Sequence, residues 1–191
     1  MSRKGFYFGE VMEKESKPKF SIRPMQEADI DEATEMRLQS WLDTYPNDDY
    51  GVTREWVEQR NQIQRSDEVN AKRLEKFRQG RHNGTSNGWV ARDNEGKIVG
   101  VTTPYVDNDG IQHVGSLYVD KTQHGTGLGS ALMQKVVDWF DPSKPIVLGV
   151  VSYNERAKAF YRKWGFEEIP NSEELFDGLI PEVHMVRKGA K

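Results

Sequence analysis

The sequence predicts an α/β fold of the α+β type, with residues 1–191 forming a single domain. Short apolar runs typical of strands alternate with amphipathic runs typical of helices along most of the chain. A hairpin pattern and two strand–turn–helix units stand out among them. The chain is long enough to bury a sizeable core, and it contains no cysteine, so we expect it to fold without disulfides.

The first predicted elements are a strand and two helices. Residues 1–19 are rich in charge, and we expect either an arm that orders by packing or a loose tail. Residues 20–24 predict a strand, residues 27–43 an amphipathic helix, and residues 53–79 a long polar helix that is either continuous or broken near Ser66. The apolar positions of the long helix are expected to form one buried stripe: Trp56, Val57, Ile63, Val69, Leu74 and Phe77.

The remaining strands begin with a hairpin. Residues 89–105 predict two strands joined by a turn at residues 93–96, where Asp, Asn and Gly favour a tight reversal. The next strand ends at Asp120, and the last two are expected at residues 166–169 and 183–187.

A glycine-rich turn lies between a strand-like run and the predicted helix at residues 128–140. Its residues are His124, Gly125, Thr126, Gly127, Leu128, Gly129 and Ser130. Such a turn leaves backbone N–H groups unpaired at the positive end of a helix dipole, which suits a phosphate. A P-loop would need a closing Lys-Ser or Lys-Thr, and the dinucleotide fingerprint would need glycine at position 130. A tight turn without a ligand is the alternative interpretation.

A second strand–helix unit follows. Residues 146–151 predict a buried strand, and residues 152–166 predict a helix. Ser152 and Glu155 have the spacing of a capping box, although Asn154 is equally suited to cap the helix. One face of this helix carries Ala157, Phe160, Tyr161 and Trp164.

Together, residues 114–166 resemble the core of the GNAT superfamily, the acyl-CoA-dependent N-acyltransferases. The family's pyrophosphate loop has Gln or Arg, two variable residues, Gly, one residue, and Gly or Ala, and residues 124–129 are similar to it. The family's later block N-x-x-A-x-x-x-Y-x-x-x-G-F is matched by Asn154, Ala157, Tyr161, Gly165 and Phe166. The resemblance implies the GNAT fold, a mixed and mostly antiparallel twisted sheet of about six or seven strands flanked by helices.

The resemblance also implies that acetyl-CoA is a co-substrate, bound mainly by residues 114–166. Leu117, Tyr118 and Val119 would line its pantetheine arm, with a main-chain N–H polarising the thioester carbonyl. Asn154 is expected to hydrogen-bond the pantetheine amide, to cap the helix, or to do both.

The diphosphate would lie against the glycine-rich turn. The residues expected to hold it are Gly125, Thr126, Gly127, Leu128, Gly129 and Ser130, through N–H groups and the hydroxyls of Thr126 and Ser130. His124 stands where the family has Gln or Arg, and Gln123 is a candidate to take over that role.

Tyr161 is the candidate acid toward the leaving thiolate. A free tyrosine has a pKa of about 10 and a thiol about 8.5, so donating a hydrogen bond is easier than full proton transfer. Packing alone is the alternative role, because Tyr161 shares a face with Phe160 and Trp164.

The base is less sharply defined. Many relatives have Glu five residues before the Asn, where this chain has Gly149, and others have Glu at the position of His113. Histidine titrates in the useful range, so His113 is the candidate base. A structural role for His113 is the alternative, with water, Asp43 or Glu27 supplying the base.

The acceptor side is expected in residues 41–88, as a helical insertion. Trp41, Asp43 and Tyr45 combine aromatic faces with a carboxylate, which favours a cationic amine. A solvated acidic loop is the alternative. We therefore predict an acetyl-CoA-dependent N-acetyltransferase of a small primary amine, polyamine-like amines included, that works by direct attack in a ternary complex. Protein or peptide N-acetylation and a catalytically silent CoA-binding module remain the alternatives.

Charge and hydropathy argue against a nucleic-acid-binding protein and against a membrane protein. A net charge of -3 gives no electrostatic reason to expect nucleic acid. A mean hydropathy of -0.79 and the lack of an apolar run of about 18 residues argue against a membrane span. The first residues lack the apolar stretch of a signal peptide, so a cytoplasmic location is expected. No metal site is predicted, and a homodimer is left open.

Overall fold

The computed structural model describes residues 20–190, so the arm expected at residues 1–19 lies outside the described part. Five helices and ten strands occur between residues 20 and 190. The helices are α1 Ile30–Thr44, α2 Arg54–Gln64, α3 Asp67–Asn83, α4 Leu128–Trp139 and α5 Glu155–Lys163. The strands are β1 Phe20–Pro24, β2 Trp89–Asp93, β3 Ile98–Thr102, β4 Tyr105–Val106, β5 Gln112–His113, β6 Leu117–Val119, β7 Ile146–Val151, β8 Glu167–Glu168, β9 Glu174–Phe176 and β10 Ile180–Arg187.

The strands form two sheets. One has the order β1-β2-β3-β6, and the other has the order β4-β5-β7-β10-β8 with β9 paired to β10. Every pairing is antiparallel except that of β5 with β7. The strands are therefore mixed and mostly antiparallel, as predicted, but they form two sheets and not one.

The strand predicted to end at Asp120 is broken at Gly115. This glycine has φ 62°, and a Cβ there would collide with the carbonyl oxygen of Thr103. Before the break the chain stays on β7, with the Val114 N–H donating to Val147 at 3.0 Å. After it, β6 pairs with β3 instead. β6 and β7 therefore diverge, and a cleft opens between them.

The expected count of six or seven strands was too low. The second hairpin strand is interrupted after Thr102, because Pro104 has no N–H to donate to a ladder. The break at Gly115 divides a further strand, and β9 was not predicted. The break at Gly115 depends on a contact with the Thr103 carbonyl, which the local pattern does not show.

The predicted long polar helix is broken near Ser66, whose hydroxyl accepts from the N–H of Val69 and caps α3. The prediction of a single buried stripe along this helix was wrong. Val57 is fully buried, whereas Ile63 is 50% exposed. Because α3 starts afresh after the break, the apolar positions of α2 do not continue in line along it.

The four-stranded sheet carries helices on both faces. On one face α1 packs over Val90 and Val101, and on the other α4 packs over Ala91 and Val99. Gly100 allows the close approach of α4, since a Cβ there would lie 2.9 Å from Leu132 Cδ1. The core therefore holds β3 and β6 rigidly beside the cleft.

A buried ion network ties β1 to the start of α1. The Asp29 carboxylate, 3% exposed, binds Arg23 at 2.6 Å and Arg92 at 2.8 Å and accepts from the N–H of Gln26. These bonds hold the pKa of Asp29 far below its usual range, chiefly through the Arg23 side chain, against the opposing effect of burial. Among residues 20–190, no helix combines the length and the apolar composition that crossing a bilayer requires.

Candidate active site

The cleft between β6 and β7 has a volume of about 850 Å³. Its walls are β6, β7 and the inward faces of α1 and α5, and the N-terminus of α4 closes one end. Phe176 on β9 and Glu182 on β10 line it as well. A groove of this size, lined by apolar side chains and a few polar groups, is typical of a binding site for a small molecule or cofactor.

The N-terminus of α4 is built for an anion. Gly127 has φ 89° and is the N-cap residue, with no side-chain cap. The first bond of the helix runs from the Ala131 N–H to the Gly127 carbonyl at 3.0 Å. The N–H groups of Leu128, Gly129 and Ser130 precede that bond, so they have no partner within the helix.

The side chains of two residues of the predicted loop point away from the cleft. The hydroxyl of Thr126 donates to the Gln123 carbonyl at 2.8 Å, and its N–H donates to the same oxygen at 3.2 Å. Leu128 has its side chain fully buried in the core. Gly125, Gly127, Gly129, Ser130 and His124 do line the cleft, and Gln123 lies beside them.

A positively charged side chain, Arg156, lies beside the glycine-rich turn. Arg156, in the first turn of α5, donates from Nη1 to the His124 ring, with Nε2 2.8 Å away. The pKa of His124 is lowered, first by burial and then by the charge of Arg156. Lys163 also lines the cleft. Arg156 was not predicted from the sequence, because a charged residue in a first helical turn is ordinarily solvated.

The predicted pantetheine strand lines the cleft. The N–H of Asp120 bonds to the Val99 carbonyl on β3 at 2.9 Å. Since strand N–H groups alternate between the two edges, those of Leu117 and Val119 lie on the edge that faces β7. Tyr118 turns its hydroxyl toward α1, where it accepts from Trp41 Nε1 at 3.0 Å and lies 3.1 Å from the hydroxyl of Tyr45.

Asn154, not Ser152, caps α5. Its Oδ1 accepts from the Ala157 N–H at 3.0 Å, and the residue also lines the cleft. The Ser152 N–H is bound instead to the Pro181 carbonyl at 2.8 Å. Capping occupies only the amide oxygen, so the Asn154 NH₂ group remains compatible with a ligand contact.

Tyr161 lies at the base of the cleft and is 8% exposed. Its ring makes edge contacts with Phe160 and Phe166, with centroids 5.4 and 5.8 Å away. Burial raises the pKa of Tyr161 well above its usual value, with Tyr118 adding a smaller effect. The hydroxyl therefore stays protonated near neutral pH and is available to donate a hydrogen bond.

The structure does not bring the three candidate bases into the cleft. His113 is 2.8 Å from Asp107 through Nε2 and stacks on Tyr105, with ring centroids 4.7 Å apart. Asp43 is bound to Lys121 at 2.9 Å, and Glu27 is bound to Arg78. None of the three is among the residues that line the cleft. Of the expected acceptor residues, Trp41 and Tyr45 line it and Asp43 does not.

Glu182 enters the cleft from β10 and was not among the residues predicted for the site. A Cβ on Gly149 would lie 3.0 Å from Glu182 Oε2, so the carboxylate occupies the space that the glycine leaves open. Burial raises the pKa of Glu182. The predicted last strand began one residue later, at Val183, which left Glu182 outside it. The available signal was the spacing of Glu182 and His184, which are two residues apart and therefore share one face of the strand.

Comparisons with known proteins agree on a family. A family model described as the acetyltransferase (GNAT) family matches residues 30–166. An uncharacterised N-acetyltransferase of Mycobacterium tuberculosis is 38% identical over 77 residues, which cover 38% of this chain and 48% of the relative. The chain thus spans about half the length of the curated relatives it matches.

Solved structures share the fold. A PaiA N-acetyltransferase from Thermoplasma acidophilum, in complex with coenzyme A, superposes with a TM-score of 0.66 at 19% identity, over 88% of this chain and 98% of that one. A phosphinothricin acetyltransferase of the GNAT superfamily from Sinorhizobium meliloti, in complex with AcCoA, gives 0.65 at 20% identity, over 90% and 89%. The two sheets and their helices therefore adopt the GNAT fold.

Proposed function

The chain belongs to the GNAT acetyltransferase family, whose model covers residues 30–166, and from this we propose that it transfers an acetyl group from acetyl-CoA to a primary amine of a small molecule. The amine would attack directly within a ternary complex. In this proposal residues 114–166 form the acetyl-CoA side and residues 41–88 the acceptor side of one domain. The observation that carries it is the cleft between β6 and β7, open to an uncapped helix at one end.

The residues present fit acetyl-CoA. The free N–H groups of Leu128, Gly129 and Ser130 would hold the diphosphate at the positive end of α4. Arg156 would supply positive charge beside it, and the His124 ring lies against Arg156. The relatives solved with CoA or AcCoA share the fold, which supports this choice of co-substrate. Acetyl-CoA supplies the activated acetyl group, and the protein supplies its position.

The chemistry expected of the chain is electrostatic. The N–H group of Leu117 or Val119, on the free edge of β6, would donate to the thioester oxygen as negative charge develops there. Tyr161 would donate a hydrogen bond to the departing sulfur, because its raised pKa opposes full transfer of the proton. With no cysteine in the sequence and direct attack available, a covalent acetyl-enzyme is not required.

The acceptor end suits a small molecule better than a protein. Residues after α1 pack onto β10 through Tyr45, Val52 and Ile180, and Tyr45 lines the cleft. Arg60 on α2 is paired with Asp177, at the turn between β9 and β10. A peptide would need an open groove where these elements meet.

Within the amine class, a polyamine has the weaker support. A polyamine carries several positive charges and requires several anionic partners. Among the described residues that line the cleft, Glu182 is the one carboxylate, and Arg37 lines the same cleft. We therefore favour an acceptor with a single ammonium group near the reacting nitrogen.

The test combines binding with turnover. Calorimetry of the full chain with acetyl-CoA should give a saturable binding signal, and a thiol assay should detect CoA release with at least one amine from a panel of amino acids, polyamines, aminoglycosides and peptides. Acetyl-CoA without amine is the control for hydrolysis. Binding without thiol release from any amine would instead indicate the silent module, and release with peptides alone would indicate peptide acetylation.

A further inference from the structure

We infer that the Glu182 carboxylate is the proton acceptor for the acceptor amine, brought from β10 into the space left open by Gly149 on β7. The inference rests on the proposed function, because it names the base of that reaction. His113, the base expected from the sequence, lies outside the cleft.

The first support is geometric. In the pairing of β10 with β7, His184 lies opposite Gly149 and Glu182 lies opposite Val151. Residues two apart in a strand share a face, so the Glu182 and His184 side chains both lean over the glycine. A Cβ on Gly149 would be 3.0 Å from Glu182 Oε2 and 3.7 Å from His184 Cδ2. The absent side chain of Gly149 is what gives the carboxylate access to the cleft.

The second support is the electrostatic setting. Tyr45, which follows α1, lines the same cleft as Glu182, and His184 on β10 and Glu174 on β9 are the charged or titratable groups near the carboxylate. His184 is bound to Glu174 at 2.9 Å, so that imidazole already has a carboxylate partner. Burial is the main reason that the pKa of Glu182 is raised, and Glu174 adds to it, while His184 opposes it. A buried carboxylate with a raised pKa is a better base than an exposed one.

The third support is that the reaction needs a base, because the acceptor amine is almost entirely protonated at neutral pH. A primary alkylamine of pKa about 10.4 is neutral in about one molecule in 2,500 at pH 7. Glu182 would take one proton from the ammonium group, which frees the nitrogen lone pair. The nitrogen then forms the C–N bond to the acetyl carbon, and the C–S bond breaks. The second nitrogen proton balances the departing thiolate, which leaves as CoA thiol, and Glu182 later releases its proton to solvent.

The principal test is Glu182→Gln, which keeps the shape of the side chain and removes its basicity. With an amine that the wild type acetylates, we expect kcat/KM near neutral pH to fall at least about 100-fold. The deficit should shrink as the pH approaches the pKa of the amine, since neutral amine is then abundant. Acetyl-CoA affinity should stay within about twofold of wild type. Glu173→Gln, an exposed site with the same charge change, is the matched control and should retain wild-type rates.

A second pair of variants separates chemistry from folding. Glu182→Ala should be slow, and adding Gly149→Glu should restore at least about tenfold of the loss, because a carboxylate returns to the same space from the neighbouring strand. Independently of turnover, ¹³C NMR of the glutamate carboxyls in the ligand-free chain should show one group that titrates above the ordinary range and is missing in Glu182→Gln.

Each outcome is decisive. A Glu182→Gln variant as active as the wild type overturns the inference and leaves the proposed function intact. A deficit that is equal at every pH, with no gain from Gly149→Glu, also overturns it, because that pattern indicates a structural role. Failure of the wild type to acetylate any amine overturns the inference and the proposed function together.

Discussion

The ring of His124 accepts a hydrogen bond from Arg156, and this contact joins the glycine-rich turn to the first turn of α5. The two residues are distant in sequence, yet they meet where the α4 N-terminus opens. The imidazole must be neutral to accept this bond, which agrees with the lowered pKa of His124. A phosphate bound nearby would favour the protonated form of the His124 imidazole.

Acetyl-CoA affinity should therefore rise as the pH falls from about 8 to about 6. Phosphate charge favours imidazolium, so the pKa of His124 is higher in the complex than in the free chain, and binding takes up a proton. Calorimetry in two buffers of different ionisation enthalpy measures this uptake. His124→Asn should abolish it, while His82→Asn, an exposed site on α3, should not. Equal uptake in both variants would show that another group titrates.

Arg156→Gln should raise the Kd for acetyl-CoA about tenfold at low salt, because one cation is lost beside the diphosphate. The effect should diminish at high ionic strength, since salt screens this attraction. The matched control is Arg162→Gln on the same helix, where the arginine pairs with Glu155 and Glu168. Equal loss in the two variants would point to general charge and not to a specific contact.

Tyr161→Phe should lower kcat at least about tenfold, or about 1.4 kcal/mol, with acetyl-CoA affinity retained. The lost group is the hydroxyl that would stabilise the departing thiolate. Because the pKa of Tyr161 is raised, its ionisation should produce no limb in the pH profile below about pH 10. Tyr50→Phe, at a half-exposed ring, is the control. Unchanged turnover would assign Tyr161 to packing.

Asp29→Asn should lower the free energy of unfolding by about 3 kcal/mol, because Arg23 and Arg92 lose their buried partner. The pKa of Asp29 is depressed in the folded chain, so its contribution is complete above the unfolded pKa of about 3.9 and disappears as the pH falls toward the folded value. Urea unfolding of both proteins should thus show a gap at pH 7 that narrows in acid. Asp109→Asn, at an exposed turn, should show little change at either pH.

The sequence predicted what local pattern determines. The turn around Gly127 was identified, and the cap of α5 was narrowed to Ser152 or Asn154, because each depends on neighbours a few residues away. The end of β1 at Pro24 agrees with its prediction, since the chain turns directly after this residue.

What the sequence did not reveal depends on distant pairings. Gly115 breaks its strand because the Thr103 carbonyl lies beside it, and Glu182 reaches the cleft because β10 pairs with β7 across Gly149. His113 was chosen by its position along the chain, whereas its surroundings are set by Asp107 and Tyr105. In each case strand partners decided the outcome, and strand partners are not encoded by local spacing.

The departure of β6 from β7 after Val114 also has a mechanical consequence. No hydrogen-bond ladder joins β6 to β7, because β6 pairs with β3 while β7 pairs with β5 and β10. A ligand arm lying in that gap would bridge the halves as a surrogate strand. Occupancy should then stiffen the whole chain and slow amide exchange in β6 and β7, far from the phosphate end.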